Sequence, residues 1–219
     1  ITWSLVGSEM CIRDRTTLIL HLNGILGTLN SEISVDQLDY IEDNIGKIRK
    51  TVGIVFQDPD DQLFMPTVIE DVMFGPKNFG FTDEESERLA LDALDKVNMS
   101  DYLDRPPHHL SYGQKRKVAI ASVLASKPKL LVLDEPGSNL DPSSRRELID
   151  ILNNLDVSKI LVTHDLPMAL EICKRSIVLN EGEVTRDDQT INILNDENFM
   201  KENRLELPFG FAFHHFGEE

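Results

Sequence analysis

Two adjacent carboxylates, Asp134 and Glu135, close the apolar run Leu130-Leu131-Val132-Leu133. Such a run reads as a buried strand, and ligands of open α/β sheets gather at the carboxyl ends of strands. There the first carboxylate can hold Mg²⁺ while the second orients and deprotonates an attacking water. The same residues before a Pro turn also occur as plain turn or helix caps, so the pair alone does not decide the chemistry. Three further motifs stand around it in a fixed order. Ser111-Tyr112-Gly113-Gln114 opens a helix after Leu110, so Ser111 and free backbone amides face outward at a positive helix end, a ready anion site. Ser138-Asn139-Leu140-Asp141 follows directly on the carboxylates. His164 ends the run Leu161-Val162-Thr163, where an imidazole could reach a terminal phosphate. A lone histidine there is more often a structural hydrogen-bonder; the order and spacing of all four motifs favour the phosphate.

The elements that must position these residues follow from apolar periodicity. Val52–Phe56, Leu130–Leu133, Ile160–Thr163 and Ser176–Leu179 are short runs rich in Val, Ile or Leu, as in a parallel sheet covered on both faces. Helices are expected between them. Thr82 to Asn98 opens on a Thr-x-x-Glu capping box and carries Leu89, Ala90, Ala93, Leu94 and Val97 on one face. Tyr112 to Ser126 is capped by Ser111 with Gln114 three residues on, and Pro128 marks its end. Asp141-Pro142 starts another, with Asp as N-cap and Pro at the first helical position. Glu181-Gly182 reads as a turn between two short strands.

Composition bounds the function classes. The chain has 219 residues, 41% hydrophobic, which suits one domain with a sizeable core. No apolar run is long enough to span a bilayer, and no secretory signal is evident. Cys11 and Cys173 have no Cys-x-x-Cys spacing, which fits a reducing setting better than a disulfide framework. A net charge of −16 and a pI near 4.7 argue against nucleic-acid binding, which needs clustered Lys and Arg.

Together these residues resemble the ABC ATPase family. Leu110–Gln114 is similar to its signature motif, Leu130–Glu135 to its Walker B strand, Ser138–Asp141 to its D-loop, His164 to its switch histidine and Gln57 to its Q-loop glutamine. Phe56–Phe64, Val68–Pro76 and Gly113–Ala121 resemble the cobalt-type and energy-coupling-factor branch. The resemblance runs from about Thr16 to about Gly210. It implies a P-loop NTPase (RecA-like) parallel sheet, a helical signature subdomain at about 66–112 and a small antiparallel β part, one ABC ATPase domain over 16–219. It implies ATP and Mg²⁺, with Glu135 as general base, His164 at the γ-phosphate, and Thr16, Gln57 and Asp134 at the metal. Arg15, Thr16 and Thr17 would meet the phosphates in one subunit, and Ser111, Gly113, Gln114 and Asp141 the same nucleotide across a homo- or heterodimer. A transmembrane transporter subunit would seat its coupling helix around Gln57 and the helical insertion, at the cytoplasmic face of the membrane. The implied cargo is a transition metal ion such as cobalt or nickel, or a vitamin. Two rivals are a catalytically impaired assembly subunit and a soluble ABC ATPase acting on nucleic acid, although the long coiled coils of the latter are missing. Tyr112 replaces the signature's usual glycine and either crowds the nucleotide edge or points to solvent.

The pattern breaks before Thr16. A P-loop needs Gly-x-x-x-x-Gly-Lys-Ser/Thr ahead of a helix, so that bare amides wrap the phosphates. Here Glu9 stands at the first glycine, Asp14 at the second and Arg15 at the lysine, with Gly7 two residues out of register. Losing three or four hydrogen bonds to a charged partner removes on the order of 5–10 kcal/mol, enough to turn micromolar affinity millimolar or weaker. Arg15 could return part of this as a cation. No upstream strand is expected, and Trp3 is the one aromatic that could stand near an adenine. Residues 1–15 read as foreign to the domain, Ser4–Arg15 resembling translated sequencing-adapter sequence. A degenerate subunit whose partner supplies the working site and a divergent native loop are the alternatives.

Two weaker signals remain. His108-His109 and His214-His215 suggest metal, but adjacent histidines diverge and lack partners at ligand spacing. Phe209-Gly210-Phe211-Ala212-Phe213 is an apolar tail able to pack on a second ATPase subunit.

Overall fold

The computed structural model describes residues 2–6, 12–26 and 33–208, with backbone alone for 12–16. In chain order the elements are β1 (Thr2–Val6), α1 (Ile12–Leu22), β2 (Ser34–Val35), β3 (Leu38–Asp39), α2 (Glu42–Thr51), β4 (Val52–Val55), α3 (Val68–Asn78), α4 (Asp83–Lys96) and α5 (Tyr112–Leu124). After them come β5 (Leu130–Asp134), α6 (Pro142–Asn154), β6 (Ser158–Thr163), α7 (Leu166–Ile172), β7 (Arg175–Asn180), β8 (Glu183–Gln189), α8 (Thr190–Leu194) and α9 (Glu197–Glu202).

The four apolar runs become β4, β5, β6 and β7 in a sheet of order β4-β5-β6-β1-β7-β8. Every neighbouring pair is parallel except β7 and β8, joined antiparallel at Glu181-Gly182, where both residues take positive φ. The sheet is covered on both faces, which is why its strands are continuously apolar. One face packs Leu131, Leu133 and Leu161 against α5 and α6, and this core runs on into α3 and α4. The other packs Leu5, Ile54, Val132 and Val162 against Ile19 of α1. Thr67 caps α3, Thr82 caps α4 and Ser111 caps α5, each through a reciprocal capping box.

The expectation that no strand precedes residue 16 is corrected. Thr2–Val6 is the strand between β6 and β7, with Val6 opposite Thr163 on one side and Val178 on the other. Its physical basis is alternation: Leu5 (6% exposed) enters the core over α1, and Val6 (2%) enters a second core with Leu166, Ala169, Val178, Ile193 and Leu194. Ser4 is buried on a hydroxyl partner, Ser176, at 2.5 Å. The helix expected from Thr16 begins at Ile12, so residues 7–11 join it to β1. Cys11, His214, His215 and the Phe209–Phe213 tail lie outside the described residues.

Candidate functional site

Topology alone gathers the expected chemistry at one edge. Val55 pairs with Leu133, Asp134 with Val162, and Val6 with Thr163, so β4, β5, β6 and β1 all end together. Gln57 lies two residues beyond β4, Asp134 and Glu135 close β5, and His164 follows β6.

Glu135 is the centre of the arrangement. It is 3% exposed and sits at φ +44°, a left-handed turn that costs a non-glycine residue and is held by its surroundings. Its amide donates to Val162 O at 2.8 Å, and its carbonyl accepts from Ser138 N and Ser138 Oγ at 3.1 and 2.8 Å. The carboxylate faces β6: Oε2 accepts from Thr163 Oγ1 at 3.1 Å, and Oε1 meets His164 N at 3.1 Å and Nδ1 at 2.8 Å. With Nδ1 donating to Glu135, Nε2 on the half-exposed ring is left for a ligand. It donates there only when the imidazole is protonated. Thr163 was not predicted as a site residue; in the sequence it is one more β-branched strand residue.

Asp134 is 7% exposed beside Glu135, and the buried Arg116 guanidinium interacts with its charge. Arg116 lies in the Gly113–Ala121 stretch but was not expected as a site residue. It is fully buried and donates to Phe56 O at 2.8 Å, Gln57 O at 2.6 Å and Tyr112 Oη at 3.1 Å. Burial lowers its pKa, opposed by Tyr112, Asp58 and Asp134. Tyr112 Oη donates to Gln57 O at 3.3 Å. Of the two placements weighed for Tyr112, pointing to solvent is not what is found: its hydroxyl turns to the chain that carries Gln57.

The signature residues stand at the start of α5, against the start of α6. Ser111 Oγ accepts from Gln114 N at 3.3 Å, and Gln114 Oε1 accepts from Ser111 N at 2.9 Å, which leaves the Ser111 hydroxyl proton to donate outward. A Cβ on Gly113 would lie 2.9 Å from Ser144 Oγ and 3.1 Å from its Cβ, so glycine here permits close approach of the two helices. Asp141 caps α6, accepting from Ser143 N, Ser144 N and Ser144 Oγ at 3.0, 3.1 and 2.6 Å. The Ser144 bonds hold its carboxyl below the usual range. Arg145 forks onto Asp165 at 2.8 and 2.9 Å, tying α6 to the residue after His164.

Among the described residues no three His, Cys, Asp or Glu side chains converge on a metal site, so Asp134 and Gln57 fit a cation only together with phosphate oxygens. The phosphate cradle does not fit. Asp14, Arg15 and Thr16 lie inside α1 rather than in a loop of bare amides, and the glycines and lysine are absent. The side chains of Arg15 and Thr16 lie outside the described residues, and Thr17 is exposed on α1.

Comparison with known proteins agrees with the geometry. The sequence profile described as ABC transporter matches residues 15–138. A putative ABC transporter ATP-binding protein of Streptomyces avermitilis is 57% identical over 90% of this chain and 75% of its own. The energy-coupling factor transporter ATP-binding protein EcfA of Methanothermobacter thermautotrophicus is 45% identical over 89% and 64%. Among solved structures, cbiO1 of Clostridium perfringens, part of the ABC transporter complex cbiONQ, superposes with a TM-score of 0.80 at 34% identity, covering 94% of this chain and 84% of that one. A dimeric post-hydrolysis ATP-binding cassette bound to ADP and phosphate gives 0.73 at 26% identity, covering 86% and 85%. With its parallel sheet, its carboxylate pair and histidine on one edge, and these relatives, the chain belongs to the ABC transporter family as an ATPase subunit.

Proposed function

We propose that this chain is the ATP-hydrolysing subunit of an importer of the energy-coupling-factor or cobalt/nickel type, seated on a transmembrane partner at the cytoplasmic face. The observation that carries the enzymatic part is the Glu135 carboxylate held between Thr163 and His164 beside Asp134. In this reading Glu135 accepts the water's proton once His164 swings off Oε1, and His164 Nε2 faces the terminal phosphate. Asp134 and Gln57 would hold Mg²⁺, which would supply charge neutralisation at the phosphates. Ser111, Gly113, Gln114 and Asp141 face a second, identical or related subunit. The EcfA and cbiO1 relatives support the branch; a metal ion or vitamin as cargo is part of the proposal and not of their names. No helix among the described residues is long and apolar enough to cross a membrane. Phe64 (63% exposed) and Phe74, edge to face at 4.9 Å, offer the transmembrane partner an apolar seat beside the Gln57 loop.

One specific observation favours a second reading, an assembly subunit that does not grip ATP. The family profile begins at residue 15, and residues 7–16 lack the cradle. Residues 1–15 are also proposed to be foreign in origin, even though Thr2–Val6 occupies a strand position between β6 and β7, and resequencing of the gene upstream of Thr16 tests this. The functional experiment is direct, because Glu9→Gly, Asp14→Gly and Arg15→Lys together restore Gly-x-x-x-x-Gly-Lys-Thr. Restoring even three bonds to phosphate should tighten ATP binding by about a thousandfold or more and bring Mg²⁺-dependent phosphate release. Unchanged binding would show that the loop has been misread, and tight binding by the chain as it stands would remove the assembly-subunit alternative.

A further inference from the structure

One strip of α5 is stitched to the segment that carries Gln57. Reading along the helix, Lys115 Nζ meets Asp60 at 2.6 Å, while Arg116 and Tyr112 meet the carbonyls of Phe56 and Gln57. Further along, Ala119 O and Ser122 Oγ accept from Gln62 Nε2 at 2.7 and 2.9 Å, and Gln62 Oε1 accepts from Phe56 N at 3.2 Å. Positions 112, 115, 116, 119 and 122 recur at helical spacing, so they form a continuous face. Gln57 O accepts twice, from Arg116 and from Tyr112, whose hydroxyl also accepts from Arg116. That triangle needs both side chains. A glycine at position 112 would leave Gln57 O one donor short and open the buried guanidinium to water, while lysine at 116 cannot reach two carbonyls in a fixed fork.

We propose that Tyr112 and Arg116 are positioning residues that lock the Gln57 segment to α5, so that Gln57 and the signature residues at the head of α5 move as one rigid body. The Gln57 side chain is exposed and makes no bond of its own to the clamp, so its reach is set through its clamped carbonyl. Lys115–Asp60 is the exposed outer member of the strip, with Asp60 60% exposed, and contributes little. The inference rests on the proposed ATPase reading for its consequence in catalysis, but the clamp itself does not.

The experiment therefore has two readouts, made on the triple loop-restored chain. Backbone hydrogen exchange of residues 56–63 is compared among Tyr112 as found, Tyr112→Phe, Arg116→Lys and Arg116→Met, with β5 as internal control. ATP hydrolysis is measured on the same proteins. Loss of one hydrogen bond should speed exchange in 56–63 about fivefold in Tyr112→Phe, more in Arg116→Met, with partial rescue in Arg116→Lys and β5 unchanged. Hydrolysis should lose about three- to tenfold in kcat with KM for ATP held within about twofold, since the nucleotide is still bound but Gln57 is misplaced. Exchange in 56–63 that is unchanged in both Tyr112→Phe and Arg116→Met overturns the clamp. Faster exchange throughout, β5 included, also overturns it in favour of plain packing. Should no variant hydrolyse ATP while 56–63 alone is loosened, the ATPase reading fails and the clamp stands.

Discussion

Both carboxylate oxygens of Glu135 are engaged at rest, one by Thr163 Oγ1 and one by His164. Glu135→Gln keeps the shape and one acceptor oxygen but cannot take a proton. In the loop-restored chain it should cut phosphate release by about 10²–10⁴-fold while ATP binding persists. Thr163→Val is the complementary test. It preserves volume at a fully buried site but removes the donor to Glu135 and the acceptor of Asp165 N at 2.9 Å. Thermal unfolding should show a loss of about 1–3 kcal/mol for the two groups left unpaired. Glu135 and His164 stood out in the sequence only through the fixed order and spacing of the motifs around them, since a carboxylate pair or a histidine at a strand end is on its own as readily structural. Thr163 and Arg116 did not, because a threonine in a strand and an arginine in a helix look ordinary until a third dimension gives them partners.

At the scale of elements, the head of α6 concentrates the interactions that hold the Asp141 turn against α5 and β6. Three donors converge on the Asp141 carboxylate, led by the Ser144 hydroxyl, and depress its pKa. A carboxylate lowered on folding stabilises above its unfolded pKa, and that contribution fades as pH falls through the folded value. Asp141→Asn keeps a capping oxygen but no charge, so its melting temperature should trail that of the unaltered chain at neutral pH. The gap should close on acidification below the normal aspartate range; a gap constant with pH would mean that the charge contributes nothing. Gly113→Ala tests the same junction from α5. The added methyl meets Ser144 at 2.9 and 3.1 Å, and separating the helices should cost about 1–3 kcal/mol by chemical denaturation. Helix starts were readable here because Thr82, Ser111 and Asp141 announce themselves as caps, whereas the short helices α7, α8 and α9 carry too few turns to show a period.

The whole molecule depends on β1 more than its sequence suggests. β1 is the strand that joins β4-β5-β6 to β7-β8, and it feeds both cores, Leu5 on one face and Val6 on the other. Five residues without a following glycine motif gave no reason to expect a central strand, and parallel pairing with β6 and β7 leaves no local turn signal. Its seat is nevertheless specific in polar as well as apolar terms. Ser4 Oγ joins Ser176 Oγ, which joins Thr190 Oγ1 at 2.7 Å, which donates to Cys173 O at 2.6 Å. Leu5→Ala should therefore cost about 2–5 kcal/mol, the range for a buried leucine whose neighbours cannot collapse into the gap. Trp3 supplies the decisive readout. As the one tryptophan of the chain, in β1 with the Arg175 guanidinium 4.6 Å from its ring, it reports docking of this strand alone. Thermal unfolding followed by Trp3 fluorescence and by far-ultraviolet circular dichroism should trace a single transition, shifted equally by Leu5→Ala. A fluorescence change that precedes the loss of helix signal, and that Leu5→Ala moves on its own, would mean that β1 docks as an appendage on a sheet able to persist without it.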